Sequence, residues 1–314
     1  MLRLVLALLA ALASSVPASA AERLSGEAIE RAFRGNTVSG RYTNGGFFTE
    51  YHDPNGQALG HNGWQANTDA CWITKPDRIC YYYGPQSDRT VHCFSVEMSG
   101  DLYVLRNSGN GMVNALAKIE PGNPRGHTDN GTPWYCDGLI SRGGRAPDEP
   151  ETGAALMSRF AGLTILALSL LAAAQAAAVE RLSGEQIRQL FEGNTVSGRY
   201  SGSNLPFSEY HHADGRASGH NRNVPNTDAC WITTPDAVCY YYGPQEKRRT
   251  YCFTIETSGD LIVIRSRPSG RINGLARVEK GDPYGYAARK SDWVCDGLIS
   301  RAPGLPMSRK LARR

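Results

Sequence analysis

A mainly β protein made of two similar antiparallel domains follows from three features of the sequence. Long blocks recur once at a near-constant spacing, short β-rich runs alternate with tight turns inside each block, and each block carries the same four-cysteine pattern. Residues 22–27 (ERLSGE) return at 180–185, and residues 35–42 (GNTVSGRY) return at 193–200, both offset by 158 (180 − 22). Asn67 to Thr74, Cys80 to Gln86 and Cys136 to Arg142 return from Asn226, Cys239 and Cys295, offset by 159 (226 − 67). One residue is therefore gained near the Tyr42/Tyr200 loop. A repeat this long is a whole duplicated domain, not a solenoid unit.

The boundaries follow. Residues 1–20 read as a signal peptide: Arg3 supplies the charge, Leu4 to Leu12 the apolar run, and Ala18-Ser19-Ala20 the small-residue cleavage site. The first β domain spans 21–142 and a polar, Pro- and Gly-containing linker 143–156. An apolar segment at 157–178 resembles a second signal peptide, with a transmembrane helix as the competing reading on length. The second β domain spans 179–301 and a basic tail 302–314. Residues 157–314 have the layout of a complete second precursor, starting from Met157.

Within one copy, Ser25 to Gly35 predicts a short helix, with Ser25 as N-cap, Glu27 in the first turn and Gly35 at the end. Its apolar face is Ile29, Ala32 and Phe33. Strands are expected at 37–42, 47–52, 71–74, 79–83, 91–97, 102–106 and 112–119, separated by turns such as Asp53-Pro54-Asn55-Gly56 and Ser99-Gly100-Asp101. Such spacing predicts a meander curled into a small barrel or sandwich, with the helix over one open edge or end. In strand 79–83, Tyr81 and Tyr83 share one face and Tyr82 takes the other.

Eight cysteines in a chain with an export signal predict disulfides. A hairpin turning near Gln86 and Ser87 sets Cys80 opposite Cys93, which leaves Cys71 for Cys136. The second copy then pairs Cys239 with Cys252 and Cys230 with Cys295. The cysteine gaps do not match the short CxxC knuckles of zinc sites, so no metal and no cofactor is expected.

Two constellations are candidate binding sites. The first is polar: His52, His61 and Asp69, recurring as His211, His220 and Asp228. If His52 and His61 face each other across the Pro54–Gly56 turn, they and the carboxylate form a donor set for zinc or copper, or for acid–base work. The competing reading is that these groups hydrogen-bond turn backbone. The second is aromatic: Trp72 and Tyr82, recurring as Trp231 and Tyr241, which either stack a glycan on an exposed sheet face or fill the core. No GxSxG elbow, phosphate loop or dinucleotide fingerprint is present.

The run of Leu-Ser-Gly helix, GNTVSG, Phe-x-Glu-Tyr, CWIT, Cys-Phe, Ser-Gly-Asp-Leu and Gly122-Asn123-Pro124 resembles a family of small exported proteobacterial β-rich domains of unknown function. The resemblance covers most of each copy. It implies a β-meander with one helix, a cysteine hairpin and an exported location, and it carries no catalytic residues. Cys71 and Cys136 lie outside the family's pattern.

A net charge of +4 on 314 residues is too slight for a nucleic-acid binder, and 41% hydrophobic with 20% charged residues excludes a disordered chain and a many-pass membrane protein. The expected function is a non-enzymatic, periplasmic or secreted module that binds a cell-envelope ligand or protein. Weak membrane contact is open to the apolar segment and the basic tail. The alternatives are a small metal-dependent or hydrolytic enzyme using the His/Asp loops, and a structural or stress-protective periplasmic protein.

Overall fold

The computed structural model describes residues 22–84, 90–144, 179–243, 249–288 and 293–301. The signal-like residues 1–20, the apolar segment 157–178, the basic tail and the turn at Gln86–Ser87 lie outside these. Among the described residues no helix is long and apolar enough to cross a membrane.

In the first copy β1 (Glu22–Arg23) leads into α1 (Gly26–Phe33). Then come β2 (Asn36–Tyr42), β3 (Phe47–His52), β4 (Ala58–Asn62), β5 (Gln65–Ala66), β6 (Ala70–Lys75) and β7 (Arg78–Tyr83). They are followed by β8 (Val91–Ser99), β9 (Leu102–Asn107), β10 (Val113–Pro121) and a terminal hairpin, β11 (Trp134–Asp137) and β12 (Ile140–Gly143). One antiparallel sheet runs β5-β4-β3-β2-β10-β9-β8-β7-β6, with β1 added on β8. The sheet curls until its ends approach: Gln57 bridges Cys71, and Trp72 N–H donates to Gly56 C=O at 2.8 Å. The product is a half-barrel.

The second copy repeats this with β13 (Glu180–Arg181), α2 (Gly184–Phe191), β14 (Thr195–Tyr200), β15 (Pro206–His211), β16 (Ala217–Asn221) and β17 (Val224–Pro225). It continues through β18 (Ala229–Thr234), β19 (Ala237–Tyr242), β20 (Thr250–Ser258), β21 (Leu261–Ser266), β22 (Ile272–Glu279), β23 (Val294–Asp296) and β24 (Ile299–Arg301). The extra residue lies where expected. The Tyr42 N–H closes its turn on Gly46 C=O, and the Tyr200 N–H closes a longer one on Leu205 C=O.

Helix α1 starts where Ser25 Oγ accepts from Ala28 N–H at 3.2 Å, and it turns Ile29 and Phe33 into the core. Gly26 lies directly on the β6–β7 turn. Its N–H donates to Pro76 C=O at 2.7 Å, and a Cβ there would sit 1.9 Å from Lys75 O. The same contact recurs at Gly184, so the Leu-Ser-Gly triplet docks the helix as well as capping it. The core fills the concave face with Val38, Phe48, Trp72, Ile79, Tyr81, Phe94, Val96 and Leu105 under the helix.

The cysteines pair as the spacing predicts: Cys80 with Cys93, Cys71 with Cys136, Cys239 with Cys252 and Cys230 with Cys295. Cys80 lies opposite Cys93 in the β7–β8 register. The Cys71–Cys136 bond fastens the β11–β12 hairpin to β6, where Trp134 is buried and its indole N–H donates to Ala70 C=O at 3.1 Å. Four disulfides indicate an oxidising, non-cytoplasmic compartment.

Strand β10 serves two cores. Ala115 and Ala117 face the concave side, whereas Val113 and Leu116 face outward. An odd spacing of this kind needs a bulge, and the β9–β10 register shifts between Val113 and Ala115. With Leu102 and Val104 of β9, the outward residues pack on Leu261, Val263, Ile272 and Leu275 of the second copy.

Candidate functional site

The register of β3 and β4 separates His52 from His61. His52 lies opposite Ala58, whereas His61 lies opposite Thr49. Alternation along β3 gives Thr49 and His52 opposite faces, so His52 points into the half-barrel and His61 out of it. His52 is fully buried against the edges of Phe33 and Trp72. Its Nδ1–H donates to Glu50 C=O at 3.2 Å, and its Nε2 accepts from Tyr81 O–H at 2.7 Å, which fixes a neutral tautomer. Burial lowers its pKa to about 3, and His211, bonded to Tyr240 O–H, matches it. Both are core residues.

His61 instead lies beside His127, with ring centroids 6.0 Å apart, and His127 Nε2 is 3.0 Å from Thr49 Oγ1. The second copy has Tyr286 at the position of His127, next to His220. No cluster of three or more metal-ligating side chains occurs among the described residues.

Of the two readings of the aromatic residues, the structure matches core packing. Trp72, Tyr82, Trp231 and Tyr241 are all buried, at 5% exposure or less. Tyr82 lies opposite Cys71, on the face stapled by the Cys71–Cys136 bond. Asp69 and Tyr82 do meet: Asp69 Oδ2 and the Tyr82 hydroxyl lie 2.4 and 2.8 Å from where a Gly84 Cβ would stand. Asp228 and Tyr241 converge likewise at Gly243. Asp69 and Asp228 each keep a buried Oδ1 without a hydrogen-bond partner. Asp228 lines a cavity of about 330 Å³ together with Asn226 and Tyr242, and His220 is not part of that lining.

The concave face itself carries a site that the histidines obscured. Alternation along β3 turns Phe48, Glu50 and His52 inward together. Glu50 is 2% exposed, with Oε1 accepting from Asn67 Nδ2 at 2.8 Å and Oε2 from Tyr83 O–H at 3.1 Å. Desolvation by burial raises the Glu50 carboxyl to about 7, against the opposing pull of these two donors. Burial and the Glu50 charge also raise the Tyr42, Tyr81 and Tyr83 phenols above their ordinary range. Tyr81 and Tyr83 stack, with centroids 5.7 Å apart and planes 13° apart, on the shared face that alternation predicts.

Phe48, Glu50, Tyr81 and Tyr83, together with Tyr42, Asn62, His92, Phe94 and Asn114, line a cavity of about 310 Å³. Aromatic rings form its walls, and amide, imidazole and carboxyl groups supply its polar points. This is the composition of a small-ligand site at the lower end of the usual size range. Neither His61 nor Asp69 lines it.

The second copy keeps the inner constellation and changes the mouth. Glu209 accepts from Asn226 at 2.7 Å and from Tyr242 at 2.9 Å, and Tyr200 donates to Asn221 at 2.7 Å. Burial raises Glu209 to about 7 as well. Tyr251 replaces His92, and Arg222 replaces Gly63, placing its guanidinium 5.0 Å over the Tyr200 ring.

The sequence signal for this site was an acid at an alternating, otherwise inward-facing position (Phe48, Glu50, His52) beside a tyrosine-rich strand. No family model, curated protein or solved structure matches the chain.

Proposed function

We propose that the protein is an exported, non-enzymatic binding module that takes a small ligand with hydrogen-bond donors into the Tyr42–Glu50–Tyr83 cavity of its first copy. The observation that carries this reading is a buried carboxyl lining an aromatic-walled cavity, already held by Tyr83 and Asn67. Held in place by those donors, the carboxyl is pre-organised to accept further hydrogen bonds, and flat rings suit the apolar faces of a sugar or a similar small molecule. The metal-dependent or hydrolytic alternative draws no support from the separated His52 and His61. An exported, periplasmic or secreted location, and kinship with small exported proteobacterial β domains, fit the four disulfides and the signal-like residues 1–20.

The test is isothermal titration of a panel of monosaccharides, amino sugars and small amines against the full chain and its Asn114→Trp variant, which fills the cavity. Binding to the wild type that Asn114→Trp abolishes, with the near-ultraviolet circular dichroism kept, supports the reading. Equal binding by both proteins, or none across the panel, counts against it.

A further inference from the structure

The contact between the copies has the form of a two-fold interface. The four outward residues of the first copy, Leu102, Val104, Val113 and Leu116, meet Leu261, Val263, Ile272 and Leu275. Aligned by the repeat, each of the second four is the counterpart of one of the first four (Leu102 with Leu261, and so on at a separation of 159). All eight are at most 6% exposed.

The polar contacts are reciprocal. Ser99 O–H donates to Ser258 C=O at 2.6 Å, and Ser258 O–H donates to Ser99 C=O at 2.5 Å. Asp260 Oδ1 lies 3.3 Å from Ser99 Oγ, and Asp101 Oδ1 lies 3.4 Å from Ser258 Oγ. The flanking grooves repeat the exchange. The Glu97–Arg106 ion pair of the first copy shares a groove with Gly198 and Leu275, and the Glu256–Arg265 pair of the second shares one with Gly40 and Leu116. When residue i touches j′ and j touches i′, a surface is complementary to itself.

We infer that the outward face of β9 and β10 is a self-complementary docking surface whose partner is a second copy of the same domain. The chain is a two-fold dimer made on one polypeptide, and its pairing does not require residues 145–178. Three observations support a second copy as the partner. The second copy is seated there, the contacts are reciprocal, and the bulge between Val113 and Ala115 that turns Val113 and Leu116 outward is repeated between Ile272 and Gly274. Without a partner, this stripe of branched aliphatic residues faces water on a sheet face whose other side is already core.

The test uses the full chain with a site-specific protease sequence placed within 145–178. After cleavage at micromolar concentration, the two halves are expected to elute together, at the light-scattering mass of the uncut chain. Val104→Asp with Val263→Asp buries two carboxylates in the interface, and the cut halves are then expected to separate. If that variant fails to fold, Ser99→Ala with Ser258→Ala carries the test. It removes only the reciprocal bonds and is expected to weaken association about tenfold. Near-ultraviolet circular dichroism and peptide mapping of the four disulfides report that each half stays folded. The inference is overturned if cut wild-type halves run apart while folded, if they lose their fold once cut, or if folded variants pair as tightly as the wild type.

Discussion

Replacing Glu50 by glutamine separates two buried titrations that oppose each other in the wild type. Burial lifts Glu50 from an ordinary 4.5 to about 7, so its contribution is intact below pH 4.5 and is lost as pH rises through 7. Burial drops His52 from 6.5 to about 3, so its contribution is intact above 6.5 and is lost as pH falls through 3. Between 4.5 and 6.5 the folded domain keeps one proton on Glu50, the unfolded chain keeps one on His52, and the two slopes cancel.

Glu50→Gln leaves His52 alone. The interval between 4.5 and about 7, at about 1.36 kcal/mol per pH unit, makes the variant about 3 kcal/mol more stable than the wild type near pH 8, relative to their difference near pH 4. Any fixed penalty for seating the amide between Asn67 and Tyr83 is the same at both pH values and drops out. Urea unfolding of both proteins from about pH 4 to pH 8 measures this difference. A difference that does not change with pH, or one that shifts in favour of the wild type as pH rises, would refute the burial argument for Glu50.

Removing the disulfides ranks them. The chain-entropy model gives about 4 kcal/mol for the 65-residue Cys71–Cys136 separation and about 3 kcal/mol for the 13-residue Cys80–Cys93 separation. Paired cysteine-to-alanine variants are therefore expected to lose stability in that order in guanidinium melts, and the reverse order would show that native-state packing outweighs chain entropy. Gly26→Ala forces a Cβ against Lys75 O and is expected to lift α1 from the β6–β7 turn, costing on the order of 2 kcal/mol or more. Amide exchange in α1 checks this, and protection unchanged from the wild type would show that the turn yields freely.

Much of the fold was legible because its signals are local. The helix follows from Ser25, Glu27 and the Ile29/Phe33 spacing, and the hairpin cysteines announce their register. The elements that went unread are held by tertiary contact. Strand β4 contains Gly60, His61 and Asn62, a composition that reads as loop, yet it pairs with β3 along its length. Gly60 is needed there because its φ is +134° and a side chain would meet Thr49 O at 2.2 Å.

The candidate site was only half legible for a related reason. Histidine is the usual metal and acid–base residue, so His52 and His61 drew the functional reading. Which face each occupies depends on the β3–β4 register, and the β4 composition hides that register. The same alternation that buries His52 points Glu50 inward, which made the acid the more informative residue. Whether Tyr82 fills core or faces water was open in the sequence because the β11–β12 hairpin on that face lies more than fifty residues downstream and is recruited by a disulfide.

The division of labour in β10 bears on how the chain is made. Ala115 and Ala117 face inward, whereas Val113 and Leu116 face away from their own domain. A freshly folded first copy therefore shows an adhesive stripe until the second copy forms. If each copy were a separate molecule, covering that stripe would be a second-order encounter, slowed by dilution and in competition with unrelated apolar surfaces. Carried on one polypeptide, the same step is first order, and its rate does not depend on how much protein is present.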